Sequence, residues 1–218
     1  MTPQTRSGVT LFAAGREFWR HPSPWCLALT LTGALTARIT VGDWQLTDVA
    51  LPVFMLATFP VFEWIIHVAI LHWRPRTLGR FTVDPLLARK HREHHREPRR
   101  IELIFIPQQT LVWLIPAAVA VPLLAFSRLG LGLTSVVCLT ALGLVYEWTH
   151  YLIHTDYRPK SRAYRSIWRN HRRHHFKNEN YWFTVTSTGT ADRLLRTYPN
   201  QSAVRTSPTA KNLHGATR

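Results

Sequence analysis

Two long uncharged runs, separated by only two residues, limit what this chain can fold into. Residues 103–126 form a run of 24 residues without a formal charge, and residues 129–146 add 18 more. Each run is long enough to cross the hydrocarbon core of a bilayer, and the first exceeds the usual length of a globular core helix. The break at Ser127 and Arg128 leaves no room for a soluble domain. The pattern therefore predicts a transmembrane helical hairpin with Arg128 at its tip.

Two further spans are predicted upstream of this hairpin. Residues 49–71 are uncharged apart from Glu63, with His67 near the same end. Residues 25–41 make the other span, in which Arg38 is close enough to one end to reach the membrane interface. Residues 1–24 mix apolar, aromatic and charged side chains, which favours an interfacial segment over a signal peptide.

The predicted architecture is therefore all-α. It is an integral membrane protein of about four transmembrane helices, with a helical, histidine-rich, metal-binding cap on the cytoplasmic side. A single membrane domain is expected over residues 25–198. The segment that follows it, residues 199–218, is rich in Ser, Thr and basic residues with little apolar periodicity, so it is predicted to be a flexible tail.

Positive charge is distributed unevenly among the predicted connections. The chain has 27 Lys and Arg against 12 Asp and Glu, a net charge of +15. Residues 74–100 carry nine of these cations and residues 149–218 carry thirteen, whereas residues 42–48 carry none. This alternation predicts a multi-pass protein with both termini and the metal site in the cytoplasm. A nucleic-acid-binding surface would explain the charge but not the spans, so no nucleic-acid partner is predicted.

The cysteine content excludes sulfur chemistry. Cys26 and Cys138 are the two cysteines, and both lie within apolar runs. They are too few for a disulfide framework, a cysteine zinc site or a cysteine-ligated iron–sulfur cluster. Histidine is much more abundant, since ten of the 12 histidines fall into four short clusters. The chemistry to be explained is therefore that of imidazole.

The four histidine clusters lie at or beyond the cytoplasmic ends of the predicted spans. Two have the spacing HxxHH, which presents three imidazoles together on a helix, and one has the spacing HxxxH, which presents two. The remaining pair is five residues apart, about 140° around an ideal helix, so it converges only if the helix distorts or if its members serve different ions. The predicted metal ligands are His67, His72, His91, His94, His95, His150, His154, His171, His174 and His175.

Ten imidazoles are too many for one metal ion. Shared between two ions they give about five each, which leaves an open coordination position on each ion, whereas structural zinc is satisfied by four ligands. An all-nitrogen site with open positions suits iron or copper, and zinc can occupy it adventitiously. Ligating histidines usually donate their second N–H to a carboxylate or carbonyl, so Glu63, Glu147 and Asp156 are candidate partners. The alternative for these carboxylates is solvation at a helix end or pairing with an arginine.

These clusters, in the order HxxxxH, HxxHH, HxxxH and HxxHH around a transmembrane hairpin, resemble the fatty acid hydroxylase and sterol desaturase superfamily of membrane non-haem di-iron enzymes. The resemblance covers residues 63–199. Residues 183–187, with the sequence FTVTS, are similar to the FGVTS element of the hydroxylase branch, with Thr184 in place of the usual glycine and Asp192 and Leu195 following. The resemblance implies that the ten histidines hold two iron ions and that no ligand position is missing. It identifies no separate acid or base and no substrate-binding residue.

The resemblance further implies an oxidoreductase that uses dioxygen and two external electrons to hydroxylate a membrane lipid, most simply a fatty acyl chain near its polar end. Because only 66 residues precede His67, the electrons are expected from a separate donor protein of ferredoxin or haem type. A sterol or carotenoid hydroxylase or desaturase of the same superfamily is an alternative. A histidine-rich metal transport or storage protein is an alternative of another class, disfavoured because transport needs polar residues along the membrane path.

Overall fold

The structure of the protein is a computed structural model that describes residues 8–215, and this part of the chain is mostly helical. The α-helices, numbered in chain order, are α1 Leu11–Phe18, α2 Pro22–Val41, α3 Thr47–Ile66, α4 Leu86–Arg96, α5 Gln108–Ala125, α6 Leu129–His154, α7 Arg162–Phe176 and α8 Thr190–Leu194. A π-helix, His67–Leu71, continues α3, and an antiparallel hairpin of β1 Arg76–Leu78 and β2 Phe81–Val83 precedes α4. Short 3₁₀ segments cover Ile101–Leu103, Gln201–Ala203 and Leu213–Gly215.

Four helical segments are long and apolar enough to cross a membrane, which confirms the predicted fold class. They are Pro22–Val41, Thr47–Leu71, Ile101–Ala125 and Leu129–His154. The last segment runs eight residues beyond the predicted span 129–146, because residues 147–154, a mixture of polar, aromatic and apolar side chains, continue the same helix. Helix α6 packs against α2, α3 and α5, so it forms the centre of the bundle. Its polar end carries two of the predicted ligands out of the apolar region.

The end of the bundle remote from the histidines is held by a charge network. Arg38, near one end of its span, has a buried side chain, with 1% of its surface exposed. Its Nε donates to Thr134 Oγ1 at 2.9 Å, and its Nη1 donates to Asp43 Oδ1 at 3.0 Å. Arg128 at the hairpin tip donates to Asp48 Oδ2 at 2.7 Å. Neighbouring carboxylates from the adjoining loop and helix neutralise the charge of Arg38 inside the protein.

The N-terminal helix packs on the histidine-bearing end of the bundle. Thr10 caps α1 by accepting a hydrogen bond from the backbone N–H of Ala13. Ala14 and Phe18 are buried on one face of this helix, and the Phe18 ring contacts Tyr151 with centroids 5.7 Å apart. Helix α1 therefore packs against the polar end of α6 and stabilises it. The predicted interfacial segment begins at residue 1, and residues 1–7 lie outside the described part of the chain.

The C-terminal segment corrects an expectation. Residues 199–218 were predicted to form a flexible tail, but Ala210 and Leu213 are buried, with 3% and 0% of their surfaces exposed. The backbone N–H of Ser207 donates to the Lys177 carbonyl at 2.7 Å, which ties the segment to the end of α7. The expectation was wrong for the described residues because a few apolar side chains spaced along a polar segment are enough to anchor it. Residues 216–218 lie outside the described part.

Candidate metal centre

The π-helix brings together the two histidines that an ideal helix would separate. The backbone N–H of His72 donates to the His67 carbonyl at 2.9 Å, an i to i+5 bond that closes one wide turn. A turn of this kind contains more residues than an α-helical turn, so positions 67 and 72 lie closer to one face than they would on an ideal α-helix. Their ring centroids lie 5.0 Å apart. Of the two possibilities that the spacing left open, helix distortion and ligation of different ions, the structure therefore has the helix distortion.

The ten predicted ligands fall into two groups of five, in each of which the candidate ligand atoms lie within 4.8 Å of one another. The first histidine group is His67, His72, His91, His95 and His174. The second histidine group is His94, His150, His154, His171 and His175. Every one of the ten is therefore placed where a metal ion could be held, and no member of the set is left apart.

Each HxxHH motif contributes to both groups. His91 and His95 join the first group while His94 joins the second, and on α7 the division is reversed, with His174 separated from His171 and His175. Residues i and i+4 of a helix point in nearly the same direction, whereas i+3 and i+4 diverge by roughly 100°. The expectation that each motif presents its three imidazoles together was therefore incomplete. The remaining imidazole of each motif, His94 on α4 and His174 on α7, belongs to the other group. Each of these two helices therefore contributes imidazoles to both groups.

Burial favours the neutral form of the imidazoles on α4 and α7, which lie outside the four spans. Nine of the ten are buried and His72 is half-buried. Burial, together with neighbouring imidazoles, holds the pKa of His94 and His171 well below its usual value, and burial lowers the pKa of His95 to about 3. Metal binding requires the unprotonated imidazole, so this environment favours ligation over protonation.

Three members of the first group are oriented by backbone carbonyls. A carbonyl oxygen can only accept a hydrogen bond, so each of these contacts places the imidazole hydrogen on Nδ1 and leaves a lone pair on Nε2. The contacts are His67 Nδ1 to Phe183 at 2.6 Å, His95 Nδ1 to Ala210 at 2.8 Å and His174 Nδ1 to Tyr181 at 2.9 Å. The carbonyls thus aim three lone pairs at one interior point.

The inward nitrogens approach one another closely. His67 Nε2 lies 3.1 Å from His91 Nε2, and His95 Nε2 lies 3.2 Å from that same atom. His91 has one inward hydrogen at most, so several lone pairs face one another without an intervening proton. Such an arrangement is repulsive unless a cation lies between the nitrogens. The donor set therefore fits a metal ion with nitrogen ligands.

The imidazole nitrogens of the second group also approach one another closely, but fewer of these rings are hydrogen-bonded to backbone carbonyls. His154 Nε2 lies 3.2 Å from His94 Nε2 and 3.1 Å from His171 Nε2. His150 Nδ1 donates to the Ile104 carbonyl at 3.2 Å, and its Nε2 is a buried nitrogen with no hydrogen-bond partner among the described residues. Coordination of a metal ion explains why a buried nitrogen beside other imidazoles has no hydrogen-bond partner.

The structure places the three candidate carboxylates away from the imidazole nitrogens. Glu147 accepts bonds from Ser23 Oγ at 2.6 Å and from the backbone N–H of Ile106 at 2.8 Å. Asp156 is exposed and lies 3.3 Å from the guanidinium of Arg99. Among the predicted ligands of the described part, the Nδ1 atoms with a hydrogen-bond partner contact backbone carbonyls instead. Glu147 therefore takes part in helix packing and Asp156 in a surface ion pair, so the expectation that they accept hydrogen bonds from the imidazoles is corrected.

Glu63 acts on the loop that follows α7. Its carboxylate is buried and accepts hydrogen bonds from the backbone N–H groups of Val185 and Thr186. The Thr186 hydroxyl donates to it as well, at 2.7 Å. Glu63 does not contact a histidine directly, but it holds the loop whose Phe183 carbonyl accepts from His67.

Asp192 holds the other side of this loop, and the sequence did not identify it as a site residue. Its carboxylate accepts from the backbone N–H groups of Phe183 at 2.8 Å and Thr184 at 3.0 Å, and from the Thr184 hydroxyl at 2.5 Å. Thr184 has an ordinary negative φ, so this position does not require the glycine usual in the resembling element. Asp192 lies on α8, which begins after Gly189 at a φ of 95°. In the sequence, the FTVTS motif was the feature that could have indicated this loop as part of the site.

Comparisons with known proteins agree with this geometry. The chain is 25% identical over 193 residues to a dihydroceramide fatty acyl 2-hydroxylase of Arabidopsis thaliana, a match that covers 88% of this chain and 78% of the relative. No solved structure shows a significant match. The fatty acid hydroxylase family matches residues 52–197, a region that contains all ten histidines. The chain, whose four apolar helices indicate a membrane protein, therefore belongs to the fatty acid hydroxylase family and is an oxidoreductase that hydroxylates lipids.

Proposed function

We propose that this protein is a di-iron, dioxygen-dependent monooxygenase that hydroxylates a fatty acyl chain close to its polar end. The observation that supports the proposal best is the division of ten imidazoles into two adjacent groups of five. Five nitrogen ligands leave one position of a six-coordinate ion free in each group, as chemistry at a metal requires. We propose the ten histidines of both groups as the ligands, with zinc able to replace iron adventitiously.

The overall reaction needs electrons that the chain itself does not carry. One oxygen atom of dioxygen enters the C–H bond, and the other leaves as water with two electrons and two protons. Bound iron supplies the activation of dioxygen. The protein orients the imidazoles through the carbonyls of residues such as Phe183 and Ala210, and it keeps nine of them away from bulk water.

We propose that the electrons come from a separate protein of ferredoxin or haem type. The face of α7 that points away from the histidines carries exposed cations at Arg162, Arg165 and Arg169. Complementary charge accelerates the encounter of two proteins, so an acidic surface on the donor suits this face. Helix α7 also supplies three of the ten imidazoles. Electrons from a donor bound to this helix would therefore have a short path to both groups.

The position of the histidines predicts the position of the oxidised carbon. They lie at the polar ends of the spans and on the helices beyond them, so a lipid anchored by its head group presents its first carbons to the metals. With labelled dioxygen and a reductant, we expect mass spectrometry to locate the new oxygen at a carbon near the carboxyl end. Oxygen at mid-chain or at the methyl end would contradict this prediction. A new double bond without added oxygen would assign desaturation instead.

We propose that both termini and both histidine groups face the cytoplasm. If all four segments cross the bilayer, the two chain ends lie on one membrane side, and the basic connections predict which side that is. We expect a reporter fused after residue 218 to indicate the cytoplasm and a reporter inserted in the loop 42–46 to indicate the opposite side. The same side from both reporters would show that the span count is wrong. A fusion within residues 97–100, between α4 and α5, should match the C-terminal fusion.

A further inference from the structure

One histidine of the ten is open to the surroundings. His72 is half-buried, whereas the other members of the first group and all members of the second group are buried. Its Nε2 lies 3.2 Å from His174 Nε2, so the exposed ring is also part of the convergent nitrogen set. A molecule that approaches the first group can therefore reach it past His72.

A cavity of about 560 Å³ lies on this side of His72. This volume is in the range of small-molecule sites. One part of its wall is apolar and comes from Val68 and Ala69, at the end of the second span. Another part is basic and comes from Arg74 and Arg76, and both of these side chains are exposed. The cavity therefore has the two-part polarity of an acyl lipid.

The surface around the cavity is suited to the boundary between head groups and acyl chains. Ile70, on the last turn of the span, is 41% exposed. The β-hairpin that follows carries Leu78 and Phe81, which are 64% and 63% exposed. Large apolar side chains next to arginines are typical of protein segments that lie in a membrane interface. A lipid could thus move from the bilayer into the cavity without crossing water.

We propose that this cavity, lined by Val68, Ala69 and residues 72–76, is the access site for the acyl-lipid substrate. The acyl chain lies along Val68 and Ala69, and Arg74 and Arg76 bind a head group that carries an oxyanion, as a carboxylate or a phosphate does. The first histidine group is then the one that faces the substrate, with His72 nearest to it. The proposal rests on the proposed function and adds the substrate class and the side of approach.

The arginines differ in how they are already engaged, and this determines the choice of variant. Arg74 Nε donates to His214 Nδ1 at 3.0 Å, so its replacement would also disturb the C-terminal segment. Arg76 stacks on Trp73, with its guanidinium carbon 4.8 Å from the ring centroid. Arg80 at the hairpin turn stacks on Phe81 in a similar way, at 5.0 Å, but does not line the cavity. Arg76→Gln and Arg80→Gln therefore form a matched pair.

The test is photo-crosslinking of the full-length, metal-loaded protein in lipid nanodiscs without reductant, so that binding is measured without turnover. The probes are a diazirine fatty acid, a diazirine phosphatidic acid and a diazirine ceramide, which present a carboxylate, a phosphate and a neutral head group. We expect the fatty acid or the phosphatidic acid to label residues 68–76. Arg76→Gln should lower that labelling about tenfold, the loss expected for one charge-assisted hydrogen bond, while Arg80→Gln leaves it unchanged. Equal labelling by ceramide would overturn the oxyanion assignment.

A second pair of variants tests the acyl part of the site. Ala69→Trp fills the apolar part of the cavity, whereas Ala120→Trp places the same ring at an exposed position of α5, outside the cavity. We expect labelling to fall to background in Ala69→Trp only, with the metal content of both variants unchanged. Equal labelling of the two variants would overturn the proposed site, even if the wild-type protein hydroxylates lipids. Specific labelling with no oxidised lipid under turnover conditions would instead support the site and contradict the proposed function.

Discussion

Replacing His174 by alanine is expected to reduce turnover to background and to lower the bound metal from two ions to one. His174 belongs to the first histidine group, and its Nδ1 is held by the Tyr181 carbonyl at 2.9 Å. Removing one of five ligands weakens that site, while the second group keeps all five of its ligands. Since the proposed reaction requires both ions, the loss of one is expected to stop catalysis. Elemental analysis of the purified protein and a lipid hydroxylation assay measure the two effects.

His94→Ala is the reciprocal variant, because His94 belongs to the second group although it lies on the same helix as His91 and His95. It should also lose one ion and turnover. His21→Ala provides the control, since His21 is outside both groups and its ring stacks on Phe105 with centroids 4.1 Å apart. The control should retain both ions. Full activity in His174→Ala would remove that residue from the proposed ligands, and one ion per chain in the active wild-type protein would contradict the dinuclear centre.

The apolar runs predicted the membrane part of the fold because their information is local. A run of uncharged residues that exceeds the bilayer thickness has few other stable arrangements, so the four spans follow from the sequence alone. The sequence predicts the ends of these helices less well. The continuation of α6 to His154 depends on side chains such as Tyr151 packing against α1, which is a contact between distant parts of the chain.

The histidine spacing predicted ten candidate ligands, about five for each of two ions, but not which five would lie together. That division depends on the relative orientation of α4 and α7 and on the π-helix after Ile66, none of which is encoded by the spacing alone. The hydrogen-bond partners of the imidazoles were harder still to predict. They are backbone carbonyls, such as those of Phe183 and Ala210, and every residue has one, so no side-chain pattern reveals which carbonyl will be used.

Asp192→Asn is expected to weaken metal binding in the first histidine group while leaving the second group intact. Asp192 fixes the Phe183 peptide by accepting its N–H at 2.8 Å, and the carbonyl of that residue accepts from His67 Nδ1 at 2.6 Å. The carboxylate also receives the Thr184 and Thr197 hydroxyls, at 2.5 and 2.8 Å. An amide replaces one acceptor oxygen by a donor nitrogen, so it would face N–H and O–H donors that it cannot satisfy.

Because Asp192 acts through Phe183 and not at the metal, the effect should be smaller than removal of a ligand. Outer hydrogen-bond partners of metal ligands typically contribute about 10- to 100-fold to metal affinity or activity, and a loss of that size is expected for Asp192→Asn. Competition with a chelator measures the affinity of each ion, and Asp156→Asn on the exposed surface is the matched control. Equal weakening of both groups would indicate general destabilisation of the fold. Unchanged affinity in both groups would show that the Phe183 peptide holds His67 without help from Asp192.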